Sequence, residues 1–277
     1  MSTASQQLVS TKDKVTTIRE LVLTNRDQIQ MALPKFLNVD RLVRMFFTSL
    51  STTPKLIDCT PRSLMGFLIQ CAQLGLEPGP QLGLIYPVPF YNSRARANEV
   101  QVIVGYRGLV SLARRSGEIS TIMAHEVYSK DKFEYEYGSK PFVTHKPSGE
   151  AERGAITHFY DIVSLKDGAF MFDVMSKGEV DAHRDRYSRA AKDGPWITNY
   201  TEMGKKTPLR RTLKLCPAAI EMQHAITLDE RAELQLPQDL GVGMEIKGLA
   251  AEEEPAAGGA LEALTDSIEA GAQTTLA

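Results

Sequence analysis

Hydrophobic and polar positions in the first part of the chain recur at helical spacing. They predict an amphipathic helix over residues 14–32 and a second helix from about Val39 to Ser51. A third helix has clear end signals, because Thr60 suits the N-cap, Pro61 suits the first helical position and Gly75 suits the C-terminal cap. The chain therefore begins with helices.

After residue 80 the spacing changes to that of β-strands. Residues 82–91 are apolar but contain two prolines, which is typical of an edge strand, and residues 100–106 alternate as in a half-buried strand. The segment between them, 92–98, is polar and basic. It predicts a hairpin with Arg94 and Arg96 at its tip.

Further strands follow, and the chain then returns to helices. A short helix is predicted over 108–116, and strands are predicted over 121–128, 133–137, 154–164 and 169–175. Ser176 and Glu179 form a capping box that starts a helix to about Lys192, and Thr198 can cap a last helix that ends before Pro217. The pattern predicts an α+β fold with N-terminal helices, antiparallel hairpins or a small sheet, and basic C-terminal helices.

Charge divides the chain unevenly, although the formal net charge is only −2. Residues 228–277 carry 11 acidic and 2 basic side chains, whereas residues 1–227 carry 30 basic and 23 acidic ones. Beyond about Pro237 the chain is rich in Gly, Ala and Glu, which predicts a disordered tail. We expect an N-terminal helical segment (1–32) that contacts a neighbouring subunit, a core (33–227), and an acidic tail (228–277) that is a candidate partner-binding segment.

Several functional classes lack a sequence signal. The three cysteines form no C-x-x-C pair. Around Gly204-Lys-Lys-Thr207, a phosphate-binding loop would need glycine at position 199 and Ser or Thr at position 206, but the chain has Asn199 and Lys206. No apolar run approaches the ~20 residues of a membrane span, and the N-terminus has no secretory signal. We therefore expect a cytoplasmic, non-membrane protein with no cofactor, no metal site and no catalytic residues.

The basic side chains indicate a polyanion partner. On a helix, Lys206, Arg210 and Lys214 lie at i, i+4 and i+8 and form one stripe that could follow successive phosphates. The other candidate contacts are the flanking Lys205 and Arg211, Arg189 and Lys192 in the same basic stretch, and Tyr106, Arg107, Arg114 and Arg115 from another part of the chain. Trp196 and Tyr200 could stack on bases, although a lone Trp more often packs in a core. A stripe of this kind can also simply face solvent.

Several long segments resemble the RecT family of phage single-strand annealing proteins. They are ALPKFL at 32–37, TPKLIDCTPRSLMGFLIQCAQLGLEPG at 53–79, VQVIVGYRGLVSLARRSGEI at 100–119, VYSKDKFEYEYG at 127–138, HKP at 145–147, LKDG at 165–168 and GPWITNYTEMGKKTPLRR at 194–211. The resemblance implies a mixed α+β fold related to that of phage lambda Redβ. It also implies ATP-independent annealing of complementary DNA strands in homologous recombination, by rings or helical filaments of subunits.

The resemblance also implies a site and partners. The basic groove would use Arg107, Arg114, Arg115, Lys205, Lys206, Arg210 and Arg211, with Trp196 near that groove or beneath it. The partners would be single-stranded DNA, the annealed duplex, other copies of the chain and, through the tail, a host single-strand-binding protein or a phage exonuclease. Such a protein is encoded by a phage or prophage and acts in the cytoplasm of the bacterial host.

The sequence departs from the family at two positions of the last basic helix. The family has alanine and an aliphatic residue where this chain has Gly204 and Pro208. A proline removes one helical hydrogen bond, which predicts a kink or a helix start there. Two alternatives stay open: a metal-dependent nuclease or other phosphoesterase acting on DNA, and a passive single-strand-binding protein.

Overall fold

The computed structural model describes residues 11–79, 81–188, 195–217, 220–240 and 245–249, and within them the fold is α+β. The helices of this part are α1 (Thr11–Thr24), α2 (Arg26–Ala32), α3 (Val39–Thr52), a 3-10 turn (Pro54–Asp58), α4 (Pro61–Leu74), α5 (Tyr106–Arg114), α6 (Lys177–Tyr187), α7 (Pro195–Thr198), α8 (Tyr200–Leu215) and α9 (Ile220–Glu233). The strands are β1 (Ile85–Asn92), β2 (Ala97–Val104), β3 (Ile119–Tyr128), β4 (Lys132–Glu136), β5 (Phe142–Lys146), β6 (Ile156–Leu165) and β7 (Phe170–Ser176). The predicted α+β class is confirmed.

The described strands form three antiparallel units. β1 pairs with β2, β4 pairs with β5, and β3, β6 and β7 form a three-stranded sheet with β6 in the centre. The predicted hairpin between residues 82 and 106 is confirmed, and its turn includes Arg94 and Arg96. The capping box at Ser176 is also confirmed, but α6 ends at Tyr187 rather than near Lys192.

The single helix predicted over residues 14–32 is two helices, because the chain breaks at Asn25. The Asn25 side chain is buried, donates to the carbonyls of Leu21 (2.8 Å) and Lys247 (3.0 Å), and accepts from the Lys247 amide (2.9 Å). The Leu21 carbonyl also accepts from the Asn25 backbone amide (3.1 Å), so the side chain adds a bond at the break and does not replace the backbone one. Its two bonds to Lys247 hold the N-terminal helices to residues 245–249.

A helix that we did not predict, α9, runs across the boundary placed between residues 227 and 228. It buries Met222, Ile226 and Leu228 in the main core. Beyond it, the Gln238 side chain accepts from the Val102 amide (2.6 Å) and donates to the Val102 carbonyl (2.9 Å). The first part of the predicted acidic tail is thus packed against the fold, and residues 250–277 of that tail lie outside the described residues.

Helix α8 is continuous through Pro208, so of the two predicted outcomes, a kink or a helix start, the helix start is wrong. The helix begins at Tyr200 after Asn199, not after a cap by Thr198, and it ends before Pro217 as predicted. Pro208 is buried, and Leu209 and Leu213 anchor the following turns in the core. Proline cannot donate the helical hydrogen bond to the Gly204 carbonyl, and the buried residues before and after Pro208 stabilise the helix in spite of that loss.

Gly204 lets α8 approach the central strand of the three-stranded sheet. A Cβ at this position would lie 2.6 Å from a ring carbon of Phe159, which is fully buried. The Phe159 ring belongs to a small core with Met175, Val180 and Trp196. Gly204, which departs from the family pattern, therefore leaves the space that the Phe159 ring occupies.

We predict that Gly204→Ala lowers the free energy of unfolding by about 1–3 kcal/mol, because the added methyl overpacks the Phe159 ring. The matched control is Gly178→Ala in α6, where only Ser176 Oγ lies at 4.0 Å from the added carbon. The control should raise stability by roughly 0.5 kcal/mol, since alanine is the better helix former. Urea unfolding of both variants measures this, and equal stabilities would contradict the packing argument.

Candidate nucleic-acid interface

Two glycines place Arg107 at the start of α5. A Cβ on Gly105 would lie 3.0 Å from the Gly83 carbonyl carbon, and one on Gly108 would lie 3.0 Å from that of Leu84, with the carbonyl oxygens nearer still. The Gly105 amide donates to the Leu84 carbonyl at 2.9 Å. This close backbone approach fixes the helix start and leaves the Arg107 side chain exposed above Gly83.

A group of cationic side chains lies where α5 faces α8, and we call it the α5–α8 edge: Arg107, Arg114 and Lys205. Arg107 and Arg114 are two helical turns apart, both are exposed, and no ion-pair partner for either is found among the described residues. Tyr106 is half-buried beside them, and burial raises its pKa while the charges of Lys205 and Arg114 act to lower it. Tyr106 therefore lies within the electrostatic reach of both cations.

Lys205 keeps its positive charge at this edge. Its ammonium lies 2.7 Å from Glu202 and 3.8 Å from Glu126 on β3. Partial burial acts to lower the Lys205 pKa, but the hydrogen bond and charge of Glu202, together with Glu126, outweigh burial and raise it. The side chain is therefore a cation held in place by carboxylates.

A polar cavity of about 210 Å³ adjoins Glu126 and is lined by His125, His145, Arg153 and Tyr160 among others. Sequence reasoning did not select these residues. Arg153 donates to Asp131 at 3.0 Å, and this bond is the main reason why the Asp131 pKa lies far below its ordinary value. Because Asp131 also accepts from the Ser148 amide (2.9 Å), its role is to anchor the loop after β5.

The stripe of Lys206, Arg210 and Lys214 faces α9 rather than an open groove. Lys206 Nζ lies 2.6 Å from Asp229, and Arg210 lies 3.0 Å from Asp229 and bonds Glu233 as well. The side chains of Lys206 and Arg210 are only 7% and 8% exposed. The expectation that this face is open to phosphates is corrected: most of its charge is already neutralised inside the fold.

The pKa shifts of this network agree with its ion pairs. Burial acts to lower the Arg210 pKa, but the charges of Glu233 and Asp229 outweigh it and raise the pKa. Burial likewise acts to raise the Glu233 pKa, but bonds from His183 and Arg210 lower it to about 2. Both groups therefore stay charged within the fold at neutral pH.

Arg115 also has a structural role. Its guanidinium donates to the carbonyls of Leu74 and Gly75 at the end of α4, the latter at 2.8 Å, and it lies 4.9 Å from the centroid of the Phe36 ring. Burial lowers the Arg115 pKa. The arginine closes the C-terminus of α4, where backbone carbonyls lack helical partners.

Arg211 and Lys214 lie at the opposite edge of the three-stranded sheet from Lys205. Arg211 Nε is 3.1 Å from Asp173 on β7, and Lys214 pairs with Glu230 on α9. Both side chains remain about half exposed. The structure therefore divides the predicted basic groove into two separate groups of cations.

The remaining predicted contacts fall in different places. Trp196 is buried against Phe159, and the half-buried Tyr200 donates to Asp181 at 2.9 Å, so both pack in the fold. Arg94 and Arg96 are exposed at the tip of the β1–β2 hairpin. The predicted contacts Arg189 and Lys192 lie outside the described residues.

A buried acid pair lies under α8 between β6 and β7. Asp161 is fully buried, accepts from the Thr212 hydroxyl at 3.0 Å, and stands directly opposite Asp173 on the neighbouring strand. Burial raises the pKa of Asp161 to about 8. At neutral pH Asp161 is thus mostly protonated. The sheet beneath Arg211 therefore carries less negative charge than two ionised aspartates would give.

Within the described ranges, no group of three or more His, Cys, Asp or Glu side chains is placed to hold a metal ion. No helix of the described chain is long and apolar enough to cross a membrane. The features that the structure does supply are exposed cations on a small α+β scaffold. They form a candidate surface of the kind found in proteins that bind polyanions.

Comparison with known proteins gives the family. The sequence model of the RecT family matches residues 40–239. Protein RecT of Escherichia coli (strain K12) is 40% identical over 220 residues, which cover 78% of this chain and 81% of the relative. The chain belongs to the RecT family, so it binds single-stranded DNA and acts in recombination as an annealing protein. The resemblance seen in the sequence is confirmed.

We predict that Lys206→Ala lowers the free energy of unfolding by about 3 kcal/mol, because it leaves the buried Asp229 short of one cation. Lys205→Ala, one residue away but partly exposed, should change stability by less than about 1 kcal/mol. Chemical denaturation of the two variants measures the difference. A Lys206→Ala variant as stable as the parent protein would show that the α8–α9 network is not needed for folding.

Proposed function

We propose that the protein anneals complementary single strands without covalent chemistry, holding the sugar-phosphate backbone along the α5–α8 edge. The observation that supports this most is the exposure of Arg107 and Arg114 beside the charged Lys205. Phosphate contacts position a strand without reading its sequence, and they leave the pairing edges of the bases free. Arg94 and Arg96 at the hairpin tip are further candidates.

The driving free energy of annealing comes from the DNA itself. Each stacked step of the new duplex contributes roughly 1.4 kcal/mol, so the protein has no bond to make or break. Its cations reduce the repulsion between two phosphate backbones, and the binding of one strand removes part of the entropy cost of aligning two. The proposed activity therefore needs no catalytic residue, nucleotide or metal.

Assembly extends this proposal. A strand of useful length requires several subunits side by side, which the family resemblance predicts as a ring or a helical filament. We propose that the N-terminal helices contribute to the contact between subunits. We also propose that the segment from residue 250 onward, which carries six acidic and no basic side chains, binds a partner protein such as a host single-strand-binding protein or an exonuclease.

Labelled complementary oligonucleotides, mixed with the protein in EDTA and without nucleotide, test the function directly. We expect duplex to form faster than in the absence of protein, with both strands intact. Shortened strands in a parallel reaction with Mg²⁺ would favour the nuclease alternative. Slower pairing would favour a passive single-strand-binding protein.

The site assignment predicts the effect of charge removal. Arg107→Gln, Arg114→Gln and Lys205→Gln should each weaken binding to single-stranded DNA. Each should also reduce the slope of log affinity against log salt concentration by about 0.7 for each phosphate that the variant no longer binds. Lys177→Gln is the matched control, since Lys177 is half-exposed and pairs with Asp181 on α6, outside both the α5–α8 edge and the N-terminal helices. If the three variants show the same slope of log affinity against log salt concentration as the control, the DNA does not follow the α5–α8 edge.

We predict that a chain ending at Leu249 folds and anneals strands like the full chain but supports less recombination in cells. Ending the chain at Leu249 keeps Ile246, which is buried, and the bonds between Asn25 and Lys247. Thermal melting and the annealing assay serve as controls for folding and activity. Loss of annealing by this shortened chain would assign the segment to the annealing machinery.

A further inference from the structure

An open cleft lies at the β7 edge of the three-stranded sheet, apart from the α5–α8 edge. It measures about 460 Å³ and lies between the end of β4, the start of β7 and the last turns of α8. Its apolar wall includes Tyr137, Phe170, Phe172 and Leu215. Tyr137, Phe170 and Leu215 are 52%, 40% and 78% exposed, and a group of large exposed apolar side chains marks a binding surface.

Three rings of this cleft form a parallel stack. Tyr137 and Phe172 have centroids 5.0 Å apart and planes 8° apart, and Phe170 continues the stack from Phe172 at 6.0 Å and 17°. The Tyr137 hydroxyl accepts from the Val174 amide at 2.8 Å, which fixes the ring. A fixed stack with an exposed outer ring suits a further flat ring.

Two cations stand beside the aromatic wall. Arg211 and Lys214 both line the cleft and are about half exposed. Asp173 holds Arg211 through Nε at 3.1 Å, which leaves the outer nitrogens of the guanidinium available to a ligand. A ligand that matches both features has a flat apolar part and an anionic part.

We propose that this cleft takes one base of single-stranded DNA, stacked on the outer face of Phe170, with a neighbouring phosphate on Arg211. The inference rests on the proposed function, since it assumes that single-stranded DNA is the ligand. It adds a second contact of a different kind, because a phosphate groove alone does not distinguish a base from an abasic sugar. Stacking is tolerant of sequence, as annealing requires, because every base has a flat face.

The rim charges favour a nucleotide over an apolar segment of a second copy of the chain. An apolar segment would use the ring stack but would leave Arg211 and Lys214 without new partners. A nucleotide uses both walls of the cleft. The two occupants also differ in what they require at position 170: a subunit contact needs apolar bulk, whereas a stacked base needs a ring.

The experiment compares two probes, an oligothymidylate and an abasic oligonucleotide of the same length, bound to the full chain. Phe170→Leu keeps apolar bulk and removes the ring, so it should weaken oligothymidylate binding at least about fivefold and leave abasic binding unchanged. Phe170→Tyr should bind both probes like the parent protein. The matched control is Phe142→Leu, because Phe142 is also 40% exposed but does not line the cleft.

Either of two results would overturn the inference. Unchanged oligothymidylate binding by Phe170→Leu would show that no base stacks in the cleft. A change in assembly size without DNA, measured by light scattering, would assign the cleft to a contact between subunits. Arg107→Gln, which tests the proposed function, should weaken both probes, so the two proposals fail in distinguishable ways.

Discussion

The position of α8 between the three-stranded sheet and α9 determines which of the cations of α8 face solvent. One side of the helix contacts Phe159 through Gly204, and another side is bound to Asp229 and Glu233 through Lys206 and Arg210. These ion pairs hold buried charge that would be costly without partners. The cations of α8 that remain for a ligand are then Lys205 at one edge of the sheet and Arg211 and Lys214 at the other, not those in the middle of the helix.

Local signals in the sequence predicted much of the fold. Turn residues and alternation located the β1–β2 and β6–β7 hairpins but not β5, and Thr60 and Ser176 marked helix starts that the structure confirms. The broken N-terminal helix and α9 were missed because their causes are distant. Asn25 bonds Lys247, and α9 gains its stability from the core that it covers. Periodicity describes a helix face but does not tell which element lies against it.

The same limit explains the outcome at the site. Helical spacing placed Lys206 and Arg210 on one face correctly, but it could not show that this face was buried. A signal existed: Asp229 and Glu233 repeat the spacing of four residues in the next helix, beyond Pro217. Rows of opposite charge at this spacing, one on each of two consecutive helices, can form ion pairs between the helices. Counting charge by segment missed this signal, because the count placed Asp229 and Glu233 in the predicted acidic tail.

Asn25 connects two ends of the described chain that are 222 residues apart. Its side chain bonds the Leu21 carbonyl within α1 and also the backbone of Lys247. During synthesis on the ribosome the N-terminal helices emerge first, but their buried amide has no distant partner until nearly the whole chain has emerged. The bonds that join the earliest-made helices to residues 245–249 are therefore among the last tertiary contacts that can form, although the packing of those helices on α3 and α4 needs only early residues.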